Sequence, residues 1–205
     1  MLNLIIGICG NIGAGKSTLI ELLEKELNYT PVYEIVEENP YLLDFYRDMK
    51  KWAFSSQLFF LIKRFDFLKR VDASEGITLE DRTINEDVEI FARNLHEMGY
   101  ISDRDWETYR TLFKTFSDHL PQPKGFVYLK ASVPTLVDHV KRRGRSFENG
   151  ITVEYLQRLN ALYEKWRKNL NFPLLSIDCD SLDFVVSKKD RRVVMEKISD
   201  FVKKL

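Results

Sequence analysis

The sequence has few cysteines: only Cys9 and Cys179 occur among its 205 residues. They lie in apolar segments far apart along the chain and lack the spacing of metal ligands, which argues against a disulfide scaffold and favours a reducing compartment. No apolar run approaches the roughly 20 residues that a membrane span needs. The apolar first residues have no basic region before them, and a glycine-rich loop interrupts them, unlike a signal peptide. We therefore expect a cytoplasmic protein with no membrane partner.

The chain also lacks any excess of charge of one sign. It has 31 Lys and Arg against 31 Asp and Glu, so no basic surplus points to a nucleic acid polymer as partner. The length suits one domain, residues 1–205, and is short for two. Hydrophobic residues at 44% and charged residues at 30% exclude a disordered chain. Aromatic residues at 13% favour a pocket as well as a core.

Short apolar runs alternate with stretches of helical periodicity along the whole chain. The predicted strands are residues 2–9, 30–36, 76–79, 126–131 and 174–177. The predicted helices follow the glycine-rich loop and then cover residues 40–47, 52–71, 85–97, 103–118, 134–143, 156–170 and 188–204. This alternation predicts an α/β fold, a five-stranded parallel sheet flanked by helices, with ligands at the carboxyl ends of the strands.

A phosphate-binding loop follows the first predicted strand. The run Gly10-Asn11-Ile12-Gly13-Ala14-Gly15-Lys16-Ser17 matches the P-loop pattern at every fixed position, between a strand and an amphipathic helix. The glycines let backbone N–H groups turn toward phosphate oxygens, Lys16 reaches the β- and γ-phosphates, and the Ser17 hydroxyl binds magnesium. Residues 10–18, including Thr18, are thus expected to bind a nucleoside triphosphate with Mg²⁺; ATP is the expected donor, although no motif excludes GTP. The loop does not say which molecule accepts the phosphate.

Acids and arginines follow the next strands. After the second strand, one of Glu34, Glu37 and Glu38 is expected to be a general base. Asp81 and Arg82 follow the third strand, where the acid can help hold magnesium; a surface ion pair is an equally good interpretation. The basic run that begins at Lys141 and reaches a glycine predicts a mobile lid over the phosphates, about residues 141–150.

Taken as a set, these motifs resemble the deoxyribonucleoside kinase family, in particular the bacterial deoxyadenosine/deoxyguanosine kinases and the related deoxycytidine kinases. The resemblance spans nearly the whole chain. It implies a P-loop kinase fold with a small lid, a homodimer, and ATP-dependent phosphorylation of the 5′-hydroxyl of deoxyribonucleosides. Deoxyadenosine and deoxyguanosine are the expected substrates, with deoxycytidine as a further candidate.

The same resemblance implies roles for individual residues. Glu34 takes the place of the family's base, although Ile35 replaces the usual proline after it, and Glu37 is the alternative. Arg82 contacts that carboxylate and the 5′-oxygen, and Asp81 serves magnesium. The remaining implied residues are Gln57 after Trp52 for the base, the pair Arg64 and Asp87 beside it, Tyr46 and Glu148 for the sugar 3′-hydroxyl, and Arg143 and Arg145 in the lid.

Some positions carry weaker expectations. Phe45, Phe91 and Phe116 are candidates to sandwich the base, but a place in the core is the commoner role of such residues. His139 stands where the family often has a further lid arginine, and we expect it to be a surface helix residue.

Two other functions compete. A nucleoside monophosphate kinase such as thymidylate kinase shares the P-loop and the lid, and Arg64 would then hold the acceptor phosphate. A non-catalytic nucleotide-binding regulator would bind ATP without consuming it.

Overall fold

A computed structural model describes residues 3–34, 36, 38–69 and 76–205. Within these residues, five parallel strands form one sheet in the order β2-β3-β1-β4-β5. The strands are β1 (Asn3–Gly10), β2 (Thr30–Val32), β3 (Gly76–Asp81), β4 (Gly125–Lys130) and β5 (Leu174–Asp178). The fold class predicted from the sequence is confirmed.

The central strand β1 is buried on both faces. Ile5, Ile6, Ile8 and Cys9 all have less than 5% of their surface exposed, as expected for a parallel strand covered by helices on each side. Gly7 allows close packing here, because a Cβ atom at this position would lie 2.6 Å from Thr83 Cγ2. The strand therefore brings the P-loop and the residues after β3 close together.

Helices connect and cover the strands. They are α1 (Lys16–Leu27), α2 (Leu42–Arg47), α3 (Met49–Leu68), α4 (Ile84–Glu86), α5 (Arg93–Glu97), α6 (Asp103–Ser117), α7 (Val133–Arg143), α8 (Val153–Lys168) and α9 (Lys188–Val202). A π-helical segment, Asp87–Ala92, joins α4 to α5, and a 3₁₀ turn, Ser146–Gly150, lies between α7 and α8. Among the described residues, no helix has the length and apolar character needed to cross a membrane.

Several helix boundaries follow from local chemistry. The side chains of Ser102, Thr152 and Ser187 cap α6, α8 and α9 by accepting a backbone N–H from the first turn. Gly144 ends α7 with a φ of 66°, a conformation that glycine adopts without strain. The chain can therefore turn sharply from α7 into the segment predicted to be the lid.

Several elements differ from the sequence prediction. The strand predicted over residues 30–36 ends at Val32, and the helix predicted from residue 40 begins at Leu42. The helix predicted over residues 52–71 begins earlier, at Met49, and ends at Leu68, while residues 70–75 lie outside the described chain. The helix predicted over residues 85–97 contains the π-helical segment, a feature often found at functional sites.

Candidate active site

The P-loop is closed and internally bonded. Lys16 Nζ donates to the carbonyl oxygens of Gly10 at 2.8 Å and Asn11 at 3.1 Å. Burial lowers the pKa of Lys16, and the nearby positive charge of Arg82 acts in the same direction. The loop leads directly into α1, whose N-terminus adds partial positive charge. This arrangement presents backbone N–H groups and a buried ammonium group to an anion.

An oxygen pair beside the loop fits a magnesium ion. Ser17 Oγ donates to Asp81 Oδ2 at 2.7 Å, and Asp81 Oδ1 is buried without a hydrogen-bond partner among the described residues. Burial raises the pKa of Asp81, and the Lys16 charge opposes that rise. Hydroxyl and carboxylate oxygens are the ligands that Mg²⁺ accepts from proteins, together with water and phosphate oxygens. The fit to magnesium rests on Asp81 Oδ1, the buried oxygen that has no partner among the described residues.

Glu34 lies across the sheet end from the P-loop and is bound by two arginines. Arg82 Nη1 donates to Glu34 Oε1 at 2.8 Å, and Arg64 Nη2 donates to the same oxygen at 3.3 Å. The Glu34 side chain is 8% exposed. Both recorded bonds therefore use one oxygen of a nearly buried carboxylate.

Arg82 is held in an unusual backbone conformation, with a φ of 62°. Its backbone N–H donates to the Ile8 carbonyl at 3.1 Å, and its guanidinium lies 3.9 Å from the centre of the Phe91 ring. Its Nε is buried without a hydrogen-bond partner among the described residues. Non-glycine residues with positive φ concentrate at functional sites, where the surrounding structure offsets the strain.

Arg64 and Asp87 form the next layer of contacts. Arg64 Nε donates to Asp87 Oδ2 at 2.6 Å and its Nη2 to Oδ1 at 3.3 Å, while Nη1 donates to the Asp81 carbonyl. Both side chains are less than 8% exposed. The structure thus brings together the pair that the family resemblance implies.

Two buried carboxyls complete the cluster. Glu86 Oε2 accepts from the Thr83 N–H at 2.7 Å, Oε1 accepts from the Gly10 N–H at 3.2 Å, and the Tyr163 hydroxyl lies 2.8 Å from Oε1. Glu80 is 1% exposed, and its Oε1 has no hydrogen-bond partner among the described residues. Burial raises the Glu80 pKa to about 8, against the opposing charge of Arg64. Sequence reasoning missed both roles, because their contacts depend on how the elements pack.

A cavity of about 410 Å³ opens in front of these groups, and we call it the Glu34 cavity. Gln57, which is 4% exposed, lies on its wall, as do Tyr46 and Glu148. Arg64 and Asp87 are not on that wall. The remaining lining includes Lys16, Ser17, Leu42, Phe45, Phe60, Asp81, Arg82, Phe91, Arg143, Arg145, Phe147 and Tyr155.

The segment between α7 and α8, residues 144–152, covers this cavity, and we call it the lid. Arg143, at the end of α7, makes a two-bond ion pair with Glu148 in the lid. Phe147 stacks on Tyr46 of α2, with ring centres 6.5 Å apart. A Cβ atom on Gly150 would lie 2.7 Å from the Tyr46 carbonyl oxygen. The lid therefore rests directly on α2.

A second cavity of about 570 Å³ lies on the other side of the P-loop, and we call it the His139 cavity. The P-loop contributes Gly13, Ala14 and Gly15, with Thr18 beside them, and the opposite wall is formed by residues 179–186. Both cavities share Gly13 and Arg143. Gly13 and Arg143 therefore lie between the two cavities.

His139 lies on α7, as expected, and its side chain contacts the P-loop. His139 is half-buried, and its Nδ1 lies 2.8 Å from the Gly13 carbonyl oxygen. Its place on α7 faces the P-loop because Leu136 and Val140, one turn apart on the same helix, pack against Gly13.

Other predicted positions lie apart from the cavities. Phe116 stacks on Phe65 rather than lining the Glu34 cavity, and Trp52 packs beside Tyr41. Glu38 pairs with Lys63 at the surface. Glu37, the alternative base, lies outside the described residues, as does Ile35.

The parallel sheet, the P-loop and the cluster of acids and arginines at the strand ends define a P-loop phosphotransferase. The family model described as "Deoxynucleoside kinase" matches residues 6–203, and the chain belongs to that family. It is therefore an enzyme that phosphorylates deoxynucleosides. The comparisons give no support to a monophosphate kinase or to a non-catalytic regulator.

Individual relatives agree with this assignment. The chain is 36% identical over 205 residues to deoxyguanosine kinase of Bacillus subtilis (strain 168), with 98% of this chain and 96% of the relative covered. It is 31% identical over 203 residues to deoxyadenosine/deoxycytidine kinase of the same organism, with 98% and 94% covered. A structure of deoxyadenosine kinase from M. mycoides with bound dATP superimposes with a TM-score of 0.83 at 33% identity, covering 96% of this chain and 99% of that one.

Proposed function

We propose that the protein transfers the γ-phosphoryl group of ATP to the 5′-hydroxyl of a deoxyribonucleoside, with deoxyadenosine and deoxyguanosine as the principal substrates and deoxycytidine as a further one. The observation that carries this proposal is that two cavities share Gly13 and Arg143 in their walls. One cavity holds a carboxylate and a buried amide, and the other lies along the P-loop. The names of the relatives support the choice of substrates.

ATP occupies the His139 cavity with its phosphates on the P-loop, residues 10–18. Lys16 exchanges its two carbonyl partners for phosphate oxygens, which are stronger acceptors because they are charged. Ser17 and Asp81 hold the magnesium ion, directly or through water. When bound, that ion neutralises phosphate charge and orients the reacting group.

Glu34 is the general base. Arg82 and Arg64 fix its Oε1, and Oε2 accepts the proton of the 5′-hydroxyl. Arg82 also lines the Glu34 cavity, where its charge faces the transferred group. The position of the carboxylate is thus set before the substrate arrives, which lowers the cost of reaching the reactive geometry.

The nucleoside lies in the Glu34 cavity. The Gln57 amide both donates and accepts, so it can bind the edge of an adenine or a cytosine in two places. Tyr46 and Glu148 hold the sugar 3′-hydroxyl, and Phe45 and Phe91 flank the base. Arg64 and Asp87 stand behind this wall and support base recognition through their pairing.

The lid supplies positive charge to the transfer step. Because Arg143 pairs with Glu148, the contact to the sugar and the contact to the phosphate come from one connected unit. Arg145 lines the same cavity. Together with Arg82 these arginines stabilise the charge that develops on the transferred group, and the lid excludes water.

The structure argues against the monophosphate kinase alternative at one residue. Arg64 would have to bind the acceptor phosphate, yet its guanidinium is committed to Asp87, Glu34 and the Asp81 carbonyl. A phosphate would have to displace two buried carboxylates from it. Recognition of a nucleobase requires no such rearrangement of Arg64.

We further propose a single domain that forms a homodimer in the cytoplasm, without a nucleic acid or membrane partner. One core cluster extends from β1 to α9 across the described chain, which supports one domain. Cys9 and Cys179 are free thiols, which suits a reducing compartment. The outward face of α3 carries apolar side chains, including Ile62 at 48% exposure, which suits an interface.

The test is a phosphoryl-transfer assay with purified protein, ATP, and each natural deoxynucleoside and deoxynucleoside monophosphate offered separately, with and without Mg²⁺. We expect Mg²⁺-dependent product from deoxyadenosine, deoxyguanosine or deoxycytidine. Product from monophosphates alone would overturn the proposal and make Arg64 a phosphate ligand. GTP in place of ATP tests the choice of donor.

A further inference from the structure

The lid is joined at both ends to helices that are hydrogen-bonded to the P-loop. From α8, the Tyr163 hydroxyl lies 2.9 Å from the Gly10 carbonyl oxygen. Asn11 Nδ2 donates to the Leu156 carbonyl at 3.0 Å and to Asn160 Oδ1 at 2.6 Å. The helix that follows the lid is thus bonded to the first two residues of the P-loop.

The helix that precedes the lid contacts the P-loop at Gly13. A Cβ atom on Gly13 would lie 2.9 Å from the Leu136 carbonyl oxygen and 3.0 Å from Val140 Cγ2, so α7 packs directly against the loop backbone. His139, between these two residues in sequence, places Nδ1 2.8 Å from the Gly13 carbonyl oxygen. An α7 side chain is thus hydrogen-bonded to the backbone of the P-loop.

The bond fixes the chemistry of the imidazole. A carbonyl oxygen only accepts, so Nδ1 must carry the hydrogen. In the neutral ring Nε2 then has none. The neutral ring of His139 therefore has a defined tautomer, Nδ1–H, for as long as the contact to Gly13 persists.

The position of Arg143 depends on this contact. Arg143 follows His139 by four residues, one turn later on the same face of α7. Arg143 is also a wall of both cavities. A shift of α7 along the P-loop would carry the guanidinium away from a phosphate bound there, and misplacement by about 1 Å is enough to slow an enzyme.

We propose that His139 is a positioning residue, which fastens the lid helix to the P-loop through Gly13 and so keeps Arg143 in register with the transferred phosphoryl group. This inference rests on the proposed function. His139 makes no contact with the reacting atoms. It acts through the helix that carries Arg143.

The test compares two substitutions with a matched pair elsewhere. His139→Leu fills a similar volume but cannot donate, whereas His139→Asn places an amide N–H donor at the position of Nδ1. His119 serves as the control because its Nδ1 also lies 2.8 Å from a backbone carbonyl oxygen, that of Thr115. This bond is exposed and lies at the end of α6. His119→Leu and His119→Asn remove and retain that equivalent bond.

We expect His139→Leu to lower kcat about tenfold, the scale of one lost hydrogen bond, with the nucleoside KM changed less than about twofold. His139→Asn should restore most of kcat, and the His119 variants should match the parent protein. Equal kcat in the parent protein and His139→Leu would overturn the proposal. So would equal losses in the Leu and Asn variants, or a change confined to the KM for ATP.

A second measurement does not depend on activity or on the folding of any variant. The ¹⁵N chemical shifts of the imidazole in the unaltered protein distinguish the Nδ1–H from the Nε2–H tautomer. Nδ1–H supports the contact, and Nε2–H overturns the proposal. If the parent protein phosphorylates no deoxynucleoside, the proposed function fails, while the tautomer still decides whether His139 is bound to the P-loop.

Discussion

Glu34 is bound by two guanidinium groups through the same carboxylate oxygen. An amide in its place would keep an oxygen for those arginines and nearly the same shape. It would also replace the second oxygen with a group that cannot take a proton. One substitution at Glu34 can therefore separate its contacts with the two arginines from its role as the general base.

Glu34→Gln should lower kcat by a factor of about 10² to 10⁴, the usual contribution of a general base, while nucleoside affinity changes by only a few fold. Steady-state kinetics and equilibrium binding of the nucleoside without ATP give the two quantities. Glu38→Gln is the control, since Glu38 pairs with Lys63 at the surface. Unchanged turnover in Glu34→Gln would remove Glu34 as the base.

Glu80 is a carboxyl group that the proposed mechanism does not use. Burial raises its pKa to about 8 from an ordinary value of 4.5, so in the folded protein at neutral pH it is mainly protonated. In the unfolded chain the same group is ionised at that pH. Folding therefore takes up a proton here, and the contribution of Glu80 to the free energy of unfolding falls as pH rises between these two values.

Glu80→Gln removes that proton uptake while keeping an oxygen in place. We expect the variant to gain stability over the parent protein as pH rises from 5 to 8, with no further gain above the Glu80 pKa, about 8. Urea unfolding at several pH values measures the difference. The exposed Glu26→Gln should show no such trend. If the difference in the free energy of unfolding between Glu80→Gln and the parent protein stays constant with pH, the expectation is contradicted.

At the scale of elements, the contact between the lid and α2 depends on the absence of a side chain. Gly150 lies against the backbone of Tyr46, which cannot move aside as a flexible side chain could. Tyr46 is also a wall of the Glu34 cavity. Any displacement of the lid at this point therefore reaches the proposed sugar site.

Gly150→Ala should raise the KM for the deoxynucleoside about tenfold and change the KM for ATP less than twofold, because the added methyl group pushes the lid from α2. Kinetics with each substrate varied in turn separates the two. Gly99→Asn is a suitable control, since Gly99 has a φ of 71°, which asparagine tolerates, and no neighbour within 4 Å. Equal effects on both KM values would contradict a local role for Gly150.

Contiguous motifs explain why much of the site could be predicted from the sequence. The P-loop is one run of residues, whereas the pairing of Arg64 with Asp87 is implied by the family resemblance alone. The strand β2 was predicted too long because its apolar pattern continues to residue 36. The partner strand β3 ends at Asp81, one residue after the Glu80 that pairs with Val32, so no more than one further residue of β2 could join the ladder.

The residues that sequence reasoning missed act across large separations. Glu86 contacts Gly10 and Tyr163, which lie 76 and 77 residues away, and His139 contacts Gly13 across 126 residues. No local pattern marks such partners, because packing of helices against the P-loop decides them. From sequence alone, a histidine near the charged end of a helix is therefore expected at the surface. Its contact with a neighbouring element is found only in the structure.

At the scale of the whole molecule, α3 has more apolar surface than the monomer covers. Ile62 is 48% exposed and Phe67 is 37% exposed, and Phe54, Leu58 and Phe59 are only partly buried. A helix that is apolar on several faces suits a position between two bodies. This is the surface that we propose for the homodimer.

Ile62→Glu should convert the dimer into a monomer, since it places a charge in the centre of an apolar interface. Sedimentation or light scattering of the purified protein measures the mass. Val153→Glu is the control, because Val153 is 52% exposed at the start of α8, where an acid is also favourable. A parent protein that is already monomeric, or a dimer unaffected by Ile62→Glu, would rule out this interface.

The attachment of α7 and α8 to the same P-loop has a kinetic consequence. The chain from Gly144 to Thr152 is a short loop whose two ends are anchored to a single rigid object. Ligands can then enter and leave by rearranging this loop alone, without relative movement of larger bodies. Lid opening takes microseconds to seconds, and kinases turn over about 1 to 100 times each second. Rearrangement of this one short loop therefore falls on the timescale of a catalytic cycle.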